Sequence, residues 1–281
     1  MTEEQPNIPD PTCLSGTALE QKAEAIAAGK ASNETARVVA LSVLAGMFIA
    51  SGALLMTVVK SDATLSFAAA SVLGGVCFAL GLITVIVAGA ELFTGNNLMV
   101  MAALSGTIGW KAVAKNWVVV WLGNLAGSLL VVALAFFANT GALNSGAVWT
   151  TMMSVAVSKI NLDWWVILLR GIGCNFLVCL AVWMGFAGKS VVDKIFTTIF
   201  PVMAFVALGF EHCVANMFFL PMGLAAKAFS GVDASGIANI DVLNLGGIAY
   251  NICFATLGNI VGGAVLVGLL YWIAYRKKKS A

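Results

Sequence analysis

The sequence predicts an all-α membrane protein of six transmembrane helices, arranged as two inverted three-helix repeats with one broken helix in each. Three observations carry this expectation: long uncharged apolar runs, an internal repeat offset by 135 residues, and carboxylates set inside two otherwise apolar segments. Of the 281 residues, 60% are hydrophobic and 10% charged, against roughly 25% charged in soluble domains. Uncharged runs extend for 22 residues over 38–59, 28 over 63–90, 43 over 116–158 and 34 over 242–275. Each exceeds the roughly 20 residues that carry a helix across a bilayer. The net charge of +2 is small and the basic residues are scattered. That excludes a nucleic-acid surface and leaves the lipid bilayer as the first partner.

Taken in order, residues 1–37 are polar, with Pro6, Pro9 and Pro11 marking a frayed start. The alanine-rich stretch from Thr17 to Ile26 carries charges at helical spacing and reads as an amphipathic surface helix. Gly29 offers its stop, and Ser32-Asn33-Glu34 a fresh cap for the first span. With no apolar stretch ahead of it, that span is expected to act as its own insertion signal. Breaks at 60–62, 106–115, 139–163, 189–194 and 227–241 divide a 38–275 membrane domain into six spans, followed by a basic tail at 276–281.

Six crossings put both termini on one side. Lys22, Lys30, Arg37, Lys111, Lys115, Lys189, Lys194 and the tail place eleven cations there, against Lys60, Lys159 and Lys227 on the other side. Cytoplasmic loops hold the excess of Lys and Arg, so both termini are expected inside. Arg170 lies within the fourth span, and snorkelling, pairing with Asp163 and a protomer interface all remain open for it.

The repeat is explicit. Asn116, Leu122, Gly123, Asn124 and Gly127 recur as Asn251, Leu257, Gly258, Asn259 and Gly262. Three spans separate the copies, so the halves, 38–140 and 160–275, are of opposite orientation. The two Gly-x-x-x-Gly pairs fit close helix packing. The second helices match as well: Gly89-Ala-Glu91 leads to Asn97, and Gly209-Phe-Glu211 leads to Asn216. Ionisable groups in spans are costly and mark functional candidates, here Glu91, Glu211 and His212. Glu91 and Glu211 are expected to support the breaks by accepting freed backbone N–H groups, with Asn97 and Asn216 beside them. His212 is the only histidine, and an imidazole with an ordinary pKa of about 6.5 changes charge near neutral pH. Half-helix N-termini meeting near the midplane would favour a small anion, with Thr94 as a hydroxyl donor or a simple cap. Phe78, Leu82 and Phe205 flank the breaks as core packing or as water-excluding constrictions.

Five of the six cysteines lie in apolar spans and none forms a Cys-x-x-Cys pair, so buried packing is expected, with no metal and no cofactor. An intramembrane enzyme using His212 and Glu211 would need a nucleophile in reach. Beyond neighbouring Cys213 none is visible, and a pore is the better reading.

Several runs together resemble the formate/nitrite transporter family, most closely its bacterial formate channels. They are Ala90-Glu-Leu-Phe-Thr-Gly-Asn96, Gly106-Thr-Ile-Gly-Trp110, Gly123-Asn-Leu-Ala-Gly127, the stretch from Asn175 to Met184, and Gly209-Phe-Glu-His-Cys-Val-Ala-Asn-Met-Phe-Phe-Leu-Pro221. The resemblance implies an aquaporin-like protomer, a homopentamer in a bacterial cytoplasmic membrane, and passage of formate or related small monovalent anions. Nitrite and hydrosulfide are the alternatives within the family. It further implies His212 as the central histidine, Thr94 as the broken-helix threonine, Phe78, Leu82 and Phe205 as constrictions, Lys159 at the outer mouth and Asn175 in the pore wall.

Overall fold

The computed structural model describes residues 13–276; the proline-rich start and the lysines of the tail lie outside them. The described residues form helices joined by turns and irregular segments, and five of the helical stretches are long and apolar enough to cross a membrane. Helix α1 (Gly16–Ser32) precedes α2 (Thr35–Lys60), α3 (Phe67–Thr84), α4 (Phe93–Asn96), α5 (Val100–Leu104) and α6 (Trp110–Phe137). Then come α7 (Ala147–Ile160), α8 (Trp164–Ala187), α9 (Val191–Ala207), α10 (Cys213–Phe229), α11 (Leu245–Ile260) and α12 (Leu270–Tyr275).

Helix α2 packs on α6, and α8 on α11, through glycines with no room for a side chain. A Cβ on Gly127 would overlap the Val43 carbonyl, and one on Gly262 the Ile172 carbonyl. Both Gly-x-x-x-Gly pairs therefore bring helix backbones together, as apolar spans require where packing rather than hydrophobic burial holds helices.

Helix α3 packs on α9, and both end alike. A π-helical turn, Val85–Gly89, closes α3 with Gly89 at φ +82°, and Gly209 ends α9 at φ +66°. Glycine suits this left-handed conformation. It lets Ala90 N–H reach back to Val85 O (3.0 Å) and Phe210 N–H to Phe205 O (3.0 Å). The chain leaves each helix by a Schellman-type turn, delivering Glu91 and Glu211 two residues later.

Four local expectations are corrected. Gly29 lies inside α1, which runs on to Ser32 because alanines and lysine around it sustain the helix. The amphipathic helix is not simply spread on a surface: Leu19, Ala23 and Ala27 are buried, and Lys22 Nζ donates to Phe186 O (2.6 Å). The 139–163 break contains α7, whose Val148, Trp149, Met152, Met153, Ala156, Val157 and Ile160 form a buried face at helical spacing. Among the five cysteines of the apolar spans, Cys174, Cys179 and Cys213 are buried, but Cys77 is only half-buried and Cys253 is exposed on α11.

Glu20 and Glu24 of α1 sit by the loop after α5. Glu24 accepts from Ser105 Oγ, which also receives Trp272 Nε1 (2.7 Å). Burial, a hydrogen bond with Glu24 and that residue's charge push the Glu20 carboxyl up to about 7.

Candidate functional site

The two breaks meet at one contact: Thr94 Oγ1 lies 3.2 Å from His212 Nε2. Both residues are buried. His212 is the N-cap of α10, and its Nδ1 accepts the Ala215 N–H at 3.0 Å. A neutral ring that accepts at Nδ1 carries its proton on Nε2, so His212 presents an N–H toward Thr94. Protonating the ring would turn Nδ1 into a donor and open the cap.

Beside this contact stand the aromatic constriction candidates. Phe78 meets Phe205 edge to face with centroids 5.7 Å apart, Phe205 stacks on the His212 ring at 5.9 Å, and Leu82 is buried near them. Phe219, not singled out from the sequence, stacks on Phe78 at 6.5 Å and carries Lys159 Nζ 5.5 Å above its ring.

Two cavities approach the contact. One, about 180 Å³, runs from Lys60, Lys159 and Arg170 to Phe78, Phe205 and His212. The other, about 300 Å³, is walled by Lys22, Lys30 and Lys194 and reaches Leu92 and Gly95, which flank Thr94. Arg170 donates Nη1 to Gly209 O (3.3 Å) and, among the described residues, has no ion pair with Asp163.

The supports of the breaks differ from the expectation in one chemical respect. Freed backbone groups are stapled by asparagines rather than by the glutamates. Phe93 N–H donates to Asn124 Oδ1 (2.9 Å), whose Nδ2 donates to Ser42 O (2.8 Å) and Glu91 O (2.9 Å). Cys213 N–H donates to Asn259 Oδ1 (2.9 Å), whose Nδ2 donates to Gly171 O (2.8 Å) and Glu211 O (2.9 Å). An amide supplies both a donor and an acceptor where a carboxylate only accepts.

The glutamates instead gather side chains. Glu91 Oε2 accepts from Asn96 (2.6 Å) and Lys30 (2.8 Å), and Asn96 also donates to Asn116 Oδ1. Glu211 accepts from Asn216 (2.7 Å), Lys159 (3.0 Å) and Asn251 (3.2 Å). The counterpart of Asn216 is therefore Asn96, five residues beyond its glutamate, and not Asn97. Asn97 accepts instead from Asn175 Nδ2 (2.8 Å). Asn175 also donates to Thr94 O and Asn259 O, is fully buried and lines neither cavity. It holds the Thr94 loop from behind. Asn116, Asn124, Asn251 and Asn259 all lie in the 135-residue repeat, so their recurrence inside apolar spans was the signal that could have marked them.

A family model described as formate/nitrite transporter matches residues 17–273. The chain belongs to the formate/nitrite transporter family. It is 37% identical over 272 residues to "Formate channel FocA" of Escherichia coli (strain K12), covering 94% of this chain and 95% of that one. It is 42% identical over 240 residues to "Uncharacterized transporter YrhG" of Bacillus subtilis (strain 168), covering 85% of each. Among solved structures it is similar to "Pentameric formate channel with formate bound", with TM-score 0.77, 36% identity, and 86% of this chain and 97% of that chain covered. For "FNT family ion channel" the values are 0.79, 31%, 91% and 98%. These relatives of the family are channels and transporters rather than enzymes.

Proposed function

We propose that this chain is a channel for formate and similar small monovalent anions, with one pore per protomer of a homopentamer in a bacterial cytoplasmic membrane. The observation that carries the reading is the Thr94–His212 contact between two cation-lined cavities. Similarity to proteins named as formate channels, one of them pentameric, supports the substrate class and the assembly.

The crossings are read as α2, the broken α3–α5, α6, α8, the broken α9–α10 and α11–α12, within a channel domain at 38–275. Two inverted halves are supported by matched bonds: Asn124 and Asn259 staple the breaks, Asn96 and Asn216 hold the glutamates, and Lys30 and Lys159 pair with them. The lysine and arginine asymmetry puts both termini inside, so the Lys159 cavity opens outward and the α1 cavity inward.

In this reading an anion reaches His212 through the outer cavity and is held by Nε2–H. A proton taken from the external water at Nδ1 charges the ring and opens the cap, the Nε2 proton passes to formate to give formic acid, and exchange of the Nδ1 proton for one at Nε2 through cavity water restores the neutral Nε2–H form and the cap. The neutral acid passes Phe78, Leu82 and Phe205 far more cheaply than the anion. Thr94 supplies a hydroxyl on the inner side of the same contact.

The test is flux of formate, nitrite and hydrosulfide into proteoliposomes at two external pH values, with His212→Asn beside wild type. Formate flux that leads the others and rises at low pH is expected, and the variant should lose the pH dependence. Larger nitrite or hydrosulfide flux would reassign the substrate. An unchanged pH profile in His212→Asn would remove the histidine from protonation.

A further inference from the structure

Each cavity carries three cations, and they are not equivalent. Lys159 is bound to Glu211 at 3.0 Å and Lys30 to Glu91 at 2.8 Å, so the charge of each is offset by a buried carboxylate. The others differ. Arg170 and Lys22 donate only to neutral carbonyls, those of Gly209 and Phe186. Lys60 and Lys194 line the cavities and, among the described residues, make no ion pair. In the outer cavity Glu211 is the single acidic wall residue against three cations, leaving a surplus of two positive charges.

We propose that the cations fall into two groups with different roles. Lys159 and Lys30 complete the polar clusters that hold the breaks, whereas Lys60 and Arg170 at the outer mouth, with Lys22 and Lys194 at the inner, concentrate small anions. The inference rests on the channel reading above. A cleft of one charge sign with low-dielectric walls raises the local concentration of the opposite ion. A backbone carbonyl leaves the full charge of its donor available to an anion; a carboxylate partner cancels it. The stem of Lys60 passes over Gly74, where an added Cβ would come 3.4 Å from Cε, and this packing carries the ammonium to the cavity.

The effect has a size and a salt dependence. A unit charge about 7 Å from an anion in water changes its local concentration about threefold at low ionic strength, and an ionic strength near 0.15 M screens beyond about 8 Å. Lys60→Gln and Arg170→Gln should therefore each raise the half-saturating external formate concentration about threefold in low-salt proteoliposomes, and together about tenfold. Maximal flux should stay near wild type. Lys60→Arg should keep the wild-type value, and added salt should bring wild type toward the variants. Lys22→Gln and Lys194→Gln should act likewise on formate export from the inside.

A second measurement does not need transport. With Cys13, Cys77 and Cys253 replaced by serine, a fluorophore on Ser158→Cys, at the wall of the outer cavity, is quenched by iodide and by neutral acrylamide. Iodide quenching should fall about threefold for each charge removed, while acrylamide quenching stays constant. Wild-type protein without formate flux would overturn the channel reading and leave the quenching to decide this inference. Normal flux with unmoved half-saturation and unmoved iodide quenching would overturn the inference alone. Equal damage from Lys60→Arg and Lys60→Gln would do the same, because it would show a role in packing.

Discussion

Replacing Asn259 by leucine removes the staple of the second break while nearly keeping the volume. Three bonds are lost: Cys213 N–H to Oδ1, and Nδ2 to the carbonyls of Gly171 and Glu211. Gly171 lies inside α8, so its carbonyl keeps a helical acceptor role. The Cys213 amide and the Glu211 carbonyl are buried at the break and are left without those partners. At about 1–3 kcal/mol for each unsatisfied buried group, the substitution should cost about 2–6 kcal/mol. At about 2–4 °C per kcal/mol for a chain of this size, the unfolding midpoint in detergent should fall by about 4–24 °C. Asn124→Leu strips Phe93 N–H and Glu91 O of the same partners and should cost a similar amount. The assay is thermal unfolding followed by intrinsic fluorescence, with formate flux measured on the protein that survives. A midpoint within about 2 °C of wild type for either variant would refute the stapling argument.

Other outcomes follow from the same geometry. Glu20 titrates near 7 when docked and lower when free, so it stabilises the seat of α1 fully below pH 4.5 and ceases to do so as pH rises through about 7. Hydrogen exchange in residues 16–32 should accelerate across that rise, and Glu20→Gln should flatten the dependence; an identical profile in the variant would rule the residue out. Gly127→Leu should prevent α2 and α6 from closing, since a Cβ there already overlaps the Val43 carbonyl; recovery of folded protein at wild-type yield would contradict this. Glu211→Gln should lower both thermal stability and flux, because Lys159 would lose its carboxylate. Restoration by the added Lys159→Met, which removes the orphaned charge, is the expected outcome and can be read in the same melts.

Much of this is legible in the chain. The apolar runs set the helices, and the 135-residue repeat puts Asn124 and Asn259 in register without any knowledge of their bonds. Glu91, Glu211 and His212 stand out because ionisable groups in apolar spans are rare. Matching Asn97-Leu-Met to Asn216-Met-Phe points to Asn97, whereas the five-residue spacing from the glutamate is that of Asn96, which the structure uses; the turn at 97–99 directs Asn96 toward Glu91 and Asn97 toward Asn175. Helix α7 is hidden inside a break defined by small and polar residues, although its own apolar face repeats at helical spacing.

By itself the sequence determined which long apolar segments are helices, where two of them break, and which residues carry charge within them, because each of these is a local property of periodicity, glycine placement and desolvation. Only the tertiary structure decided which partners those groups take. That Lys159 is neutralised by Glu211 while Lys60 and Arg170 are not, and that the Ala215 amide fixes the His212 proton on Nε2, depends on atoms brought within about 3 Å by packing or by a turn. Hydrogen bonds and ion pairs act at that range, and the order of residues along the chain does not specify it.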